Sequence, residues 1–153
     1  INGVDQQNGP NFKATQVSYS QSKSQMKLSM DLAAAYPADA QVNSWFRTFT
    51  FNTIKGVLTL NEAYDLKKAI APVTLNFLVD GTVTEESKGH LKLTNPTGQT
   101  VLLSYDPQAF DFKVENKPIT DARLASSWKT SLNRVSLIVK GDKLKGNKSV
   151  VFK

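Results

Sequence analysis

The stretch Trp45-Phe46-Arg47-Thr48-Phe49-Thr50-Phe51-Asn52 decides the fold class. Trp45, Arg47, Phe49 and Phe51 occupy every second position, and Phe46, Thr48, Thr50 and Asn52 fall between them. Side chains along a strand point alternately to its two faces, so this run predicts a strand with one mainly apolar and one mainly polar face. The same period continues outward. Met26, Leu28 and Met30 alternate with Lys27, Ser29 and Asp31. Val73, Leu75, Phe77 and Val79 alternate with Thr74, Asn76, Leu78 and Asp80. Phe110, Phe112 and Val114 alternate with Asp111, Lys113 and Glu115, and Val135, Leu137 and Val139 form a further run interrupted only by Ile138. Val, Ile and Thr, the β-branched residues, make up 31 of the 153 positions.

Turn signals separate these runs at short intervals: Asn8-Gly9-Pro10, Asp80-Gly81, Asn95-Pro96-Thr97-Gly98, Asp106-Pro107 and Gly141-Asp142. Many short strands, each apolar on one face, predict an all-β fold: a two-layer antiparallel β-sandwich with very little helix, one domain over residues 1–153. Two stretches depart from the pattern. Leu32–Ala40 is alanine-rich but holds Pro37, which limits it to a turn or two of helix. Asp121–Thr130 reads as a single helical turn with Asp121 as N-cap and Trp128 pinning it down. Gly141–Lys153 reads as a final hairpin strand ending in Val150-Val151-Phe152.

Composition excludes several chemistries. There is no cysteine, hence no disulfide, thiolate metal site or thiol nucleophile, and the one histidine, His90, rules out a multi-histidine metal centre. No apolar run approaches the roughly 20 residues that span a bilayer as a helix. The chain opens on Ile1 rather than Met and reads as a piece of a longer protein. Its formal charge of +6 suits a polyanionic partner, but lysines number 16 and arginines three, which weakens a nucleic-acid reading because Arg is the better bidentate reader of phosphate and base edges. The lysines are also interleaved with acids, as on an ordinary solvated surface.

No complete catalytic set is visible. His90 lies among Lys88, Gly89 and Lys92 and reads as a surface or edge residue. Glu85 and Glu86 are adjacent on a strand and so point to opposite faces, a poor acid–base pair. Neither a phosphate-cradling glycine loop nor a nucleophile elbow is present. Trp45 and Trp128, with Tyr19, Tyr36, Tyr64 and Tyr105, are candidates for stacking on sugar rings; Trp45 reads as core, while Tyr36 sits in a connection before Pro37.

Several sequence words together carry a family resemblance. Asp31-Leu32-Ala33-Ala34-Ala35-Tyr36-Pro37 followed by Val42-Asn43-Ser44-Trp45-Phe46-Arg47-Thr48 resembles the C-terminal region of heparinase II/III-like polysaccharide lyases, where a D-L-x-x-A-Y-P run leads into a W-x-R-T strand. Ile1-Asn2-Gly3-Val4-Asp5-Gln6, Pro72–Leu78, Leu103-Ser104-Tyr105-Asp106-Pro107 and Asp121-Ala122-Arg123-Leu124 before Ser127-Trp128 look similar in the same order. The resemblance implies a helical toroid upstream, β-sandwich layers after it, and β-elimination of uronate-containing, often sulfated chains in the cleft between. A base takes the C5 proton beside a neutralised carboxylate, and an acid protonates the leaving oxygen. No residue of this chain matches a catalytic position, so the fragment is expected to be inactive alone, without cofactor or metal.

The resemblance also implies an acidic polysaccharide as partner through the parent enzyme, and a periplasmic or extracellular setting. A stand-alone carbohydrate-binding or adhesion module is the rival reading, and a nucleic-acid binder a distant third. The family places a histidine just before the position of Ile1, so the N-terminal loop is the expected place of substrate contact. At roughly 3.3 Å per extended residue, Asn2 and Gln6 lie within about 10–20 Å of that site, with Lys13 adding charge further along. The alternative is a solvated entry loop, with Gly3, Gly9 and Pro10 steering the chain into its first strand.

Overall fold

A computed structural model describes every residue except Lys129 and Asp142, so the second half of the Gly141-Asp142 turn and one position of the Asp121–Thr130 stretch lie outside the described residues. In chain order the strands are β1 (Thr15–Gln21), β2 (Gln25–Asp31), β3 (Val42–Asn52), β4 (Val57–Leu66), β5 (Thr74–Val79) and β6 (Thr82–Ser87). They continue with β7 (His90–Thr94), β8 (Thr100–Tyr105), β9 (Phe110–Pro118), β10 (Ser131–Val139) and β11 (Lys145–Phe152), with one helix, α1 (Ala122–Trp128), before β10. The chain is all-β, 56% strand and 9% helix, with two antiparallel sheets packed as a β-sandwich.

The strands fall into two compact units, Ile1–Val73 with Lys140–Lys153, and Thr74–Val139. In the first unit the order is β1-β2-β3-β4-β11. Registers align the side chains into rows across this sheet: Leu28 pairs with Phe49, Phe49 with Leu60, and Leu60 with Val150. Leu60 and Val150 are 2% and 0% exposed, and burying such a side chain fully contributes about 1.5–3 kcal/mol. The opposite face carries Ser29 and Thr48, whose hydroxyls meet at 3.0 Å. Two short 3-10 turns, Ala33–Ala35 and Ala38–Ala40, link β2 to β3 on either side of Pro37, as the proline requires.

The second unit holds the three-stranded sheet β5-β10-β9 and the strands β8-β7-β6. Leu91, Leu103, Val135 and Leu137 are fully buried there, and Tyr105 of β8 meets Phe110 edge-on at 6.3 Å and Phe112 at 6.1 Å. Gly81, at the β5–β6 turn, has φ +136°, and a Cβ there would stand 1.9 Å from the Thr94 carbonyl oxygen, so only glycine closes this turn.

Two expectations are corrected. β11 is not a hairpin partner of its predecessor: β10 pairs with β5 and β9, whereas β11 pairs with β4. Burial of Val150 against Leu60 outweighs nearness in the chain. Asp121 does cap α1, its Oδ1 accepting from the Arg123 and Leu124 N–H groups at 2.8 and 3.1 Å. Trp128, however, is 44% exposed and α1 buries no residue, so the tryptophan does not pin the helix. Among the described residues no helix is long and apolar enough to cross a membrane, which says nothing of a β-barrel.

Candidate functional site

A charged cluster lies within the first unit, where β3 and β4 face each other. Parity puts Trp45 and Arg47 on one face of β3, and the register sets Tyr64 and Glu62 directly opposite them. Glu62 is 1% exposed. Its Oε2 accepts from Trp45 Nε1 at 2.5 Å and its Oε1 from Arg47 Nε at 2.6 Å, with Arg47 Nη2 2.5 Å from the same oxygen. Burial pushes the Glu62 carboxyl above its ordinary range, and the guanidinium and the indole N–H hold that rise back. Below them the Trp45 and Tyr64 rings stack at 4.9 Å and 11°. Gly146 of β11 lies opposite Tyr64, and a Cβ there would come 2.5 Å from the phenol ring.

The connection from β2 to β3 brings further groups to this place. Asp31 is buried, and its Oδ1 accepts from the N–H groups of Ala33 and Trp45, both at 2.9 Å, fixing the first 3-10 turn to the start of the β3 core. That turn in turn holds the N-terminal loop, since the Gln7 N–H donates to the Ala35 carbonyl at 3.1 Å. Tyr36 follows, half-buried, with the Gln6 side chain, Arg47, Glu62 and Asp5 close enough to act on its charge. Burial raises the phenol above its ordinary value, against the pull of Arg47. At neutral pH Tyr36 is therefore a hydrogen-bond donor and not a phenolate base.

The cluster thus presents a tyrosine hydroxyl, a primary amide and a guanidinium with 29% of its side chain exposed and two of its five N–H groups directed at Glu62. Such a set of donors suits an anionic oxygen, a carboxylate or a sulfate.

Of the three sequence candidates, Gln6 is brought into the cluster. Asn2 lies at the buried base of the same loop, 7% exposed. Its Nδ2 donates to the carbonyls of Ala40 and Lys68 at 2.8 and 2.9 Å, and its Oδ1 accepts from the N–H groups of Ile70 and Ala71 at 2.9 and 3.3 Å. Both amide hydrogens and both lone pairs are engaged, so Asn2 holds the loop and has no donor left for a sugar. The loop base is accordingly packed and not solvated. Lys13 is exposed, two residues before β1.

Sequence reasoning passed over Glu62 and the pairing role of Arg47. Arg47 is an arginine on the apolar face of β3, which is itself a signal that an acid must meet it. Elsewhere, His90 is exposed with Nδ1 3.0 Å from Ser104 Oγ, a surface residue on β7 that is paired with β6 on one side and β8 on the other and so does not lie at a sheet edge.

No protein-family model matches the chain, and no curated protein matches it. Solved structures do. The crystal structure of heparan sulfate lyase HepC from Pedobacter heparinus superposes with a TM-score of 0.61 at 13% identity, covering 92% of this chain and 21% of that one. A mutant of the same lyase gives 0.60 at 13% identity with the same coverage. The chain therefore matches about a fifth of the length of those lyases. Over 92% of its own length it has the fold of a region of a heparan sulfate lyase, consistent with the C-terminal β-sandwich that its sequence resembles.

Proposed function

We propose that residues 1–153 are a single C-terminal β-sandwich domain of a heparinase II/III-like polysaccharide lyase, supporting β-elimination of an acidic polysaccharide by an upstream helical domain. One observation carries this reading. The two stretches with the strongest family resemblance, Asp31–Pro37 and Val42–Thr48, supply Asp31, Tyr36, Trp45 and Arg47, which meet in one cluster against Glu62. Residues that are separate words in the sequence are one structure in the fold, and that fold is shared with a heparan sulfate lyase.

In this reading the cluster binds and orients. The Tyr36 hydroxyl, the Gln6 amide and the outward N–H groups of Arg47 donate to a uronate carboxylate or sulfate of the bound chain, and Lys13 adds charge along the loop. Asn2 keeps the loop in place. Tyr36 and Glu62 have no free base between them, so proton abstraction belongs to the upstream domain. The parent is periplasmic or extracellular, where its polysaccharide is found.

The test is turnover of heparan sulfate, heparin and hyaluronan, followed at the ultraviolet band of the unsaturated product. The full-length parent is expected to be active and this chain alone inactive. In the parent, Gln6→Ala and Lys13→Ala are expected to raise KM more than they lower kcat. Turnover by the isolated chain, or a parent with no helical region upstream, would sink the proposal. A stand-alone carbohydrate-binding module is favoured only by Trp128 and Tyr19, which are 44% and 57% exposed. Loss of sugar binding in Trp128→Ala, with Arg47→Met unaffected, would support it.

A further inference from the structure

The positive charge of this chain is not spread evenly. Between Thr74 and Val139 seven lysines and arginines balance seven aspartates and glutamates, so the whole formal excess of +6 falls on the first unit. Within that unit three acids are already committed: Asp31 to backbone N–H groups, Glu62 to Arg47 and Asp65 to Lys145 at 2.7 Å.

Part of the excess gathers where β4 and β11 meet. Their ladder ends with Lys145 opposite Asp65, and one step further the Leu66 N–H donates to the Leu144 carbonyl at 2.7 Å. Lys67 lies just past the end of β4 and Lys143 just before Leu144, one on either side of this last bonded pair, and Lys68 follows Lys67. All three are exposed, and among the described residues none has an acidic partner. Like charges gathered at one place are mildly destabilising, so folding stability does not account for them. The backbone that carries Lys67 and Lys68 is nevertheless held firmly. The Lys67 N–H donates to the Gln41 carbonyl at 2.7 Å, and the Lys68 carbonyl accepts from Asn2 Nδ2 at 2.9 Å.

We infer that Lys67, Lys68, Lys143 and Lys145 form a binding surface for a polyanionic chain, distinct from the Tyr36–Arg47 cluster. Lys145 lies on the face of the sheet opposite to Glu62, since the ladder pairs it with Asp65 and alternation sends odd and even residues of β4 to opposite faces. The ligand class is an acidic polysaccharide, and this choice rests on the function proposed above. It is also favoured by the residue types. The four residues are all lysines, with no guanidinium among them to give a planar fork for phosphate or base edges. None of the four supplies a stacking ring of the kind that holds single-stranded nucleic acid. Lysines on a fixed backbone supply point charges to carboxylates and sulfates spaced along a sugar chain, holding it by counterion release.

The experiment measures binding of the full 153-residue chain to a heparin oligosaccharide over a range of salt. Lys67→Gln, Lys68→Gln and Lys143→Gln are combined in one variant. Lys23→Gln, Lys27→Gln and Lys55→Gln are combined in a second, which removes the same charge from other positions of the same unit. The first variant is expected to lose about tenfold or more in affinity and to flatten the salt dependence by about two units of slope, and the second to change affinity less than about threefold. Equal losses in the two variants, or no loss in the first, would overturn the patch. Tighter binding of a DNA duplex of matched charge would overturn the polysaccharide assignment. Parent turnover is scored separately: an inactive parent with patch-dependent binding removes the lyase reading and keeps the patch, and an active parent whose sandwich does not bind does the reverse.

Discussion

Arg47 and Glu62 face each other across β3 and β4, with Nη2 2.5 Å from Oε1 and the carboxylate 1% exposed. A charge pair in such a place offsets its desolvation only while both members are present. Arg47→Met leaves Glu62 buried without its cation and is expected to cost about 3 kcal/mol in urea unfolding. Joint replacement by Arg47→Met and Glu62→Leu should recover most of that loss. A double variant as unstable as the single one would mean that packing, and not the unpaired charge, is the cause.

Asn2 closes four hydrogen bonds to two separate loops. Asn2→Ala strands buried backbone groups of Ala40, Lys68, Ile70 and Ala71 and is expected to destabilise by about 2–3 kcal/mol. Asn2→Asp should be no better, because it loses both donors and turns a charge toward carbonyl oxygens. In the full-length parent the damage should appear as a lower melting temperature with KM little changed. A raised KM at unchanged stability would instead make Asn2 a substrate contact.

Gly146→Ala tests the packing under the charge pair. The new methyl would meet the Tyr64 ring at 2.5 Å, and that ring stacks on Trp45. The ring must move, at a cost of about 1–3 kcal/mol. Trp45 should report the shift through altered fluorescence, which an unperturbed spectrum would contradict.

Glu115 accepts from Arg134 and lies near Lys113 and Lys117, which together bring its carboxyl down to about 2 from an ordinary 4.5. A carboxyl more acidic in the folded chain than in the unfolded one stabilises above its ordinary value, and this contribution is lost as pH falls toward about 2. Glu115→Gln should therefore flatten the decline of stability between these limits. Glu62 runs the other way: burial raises it, so its contribution favours folding at low pH and is lost as pH rises through its folded value. A pH profile unchanged by Glu115→Gln would show that the network is screened out in solution.

Much of the fold is legible in the alternation of residues such as Trp45–Asn52, because a period of two directly encodes which side chains share a face. Pairing partners are less legible. Gly141–Lys153 reads as a final hairpin strand, but nothing local says that its neighbour is β4; that choice depends on burial summed over a whole sheet. The candidate site shows the same division. Arg47 is visibly out of place on an apolar face, and Glu62 shares parity with Leu60, Tyr64 and Leu66, yet only the register brings the two charges opposite each other. Trp128 misleads for a simpler reason: Ala-Arg-Leu-Ala-Ser-Ser-Trp has too few apolar positions to bury a helix face, so the ring stays in solvent.

The pairing of β11 with β4 orders events in time. Until a growing polypeptide reaches Phe152, one edge of β4 has no strand to pair with, and Leu60 waits for Val150. The three-stranded sheet β5-β10-β9 has no such wait, because all three of its strands lie within the contiguous Thr74–Val139 segment. On a ribosome, then, the row holding Arg47 and Glu62 is completed by Lys148 only after β5 to β10 have been made, and the charged cluster waits for β11 through all of that synthesis.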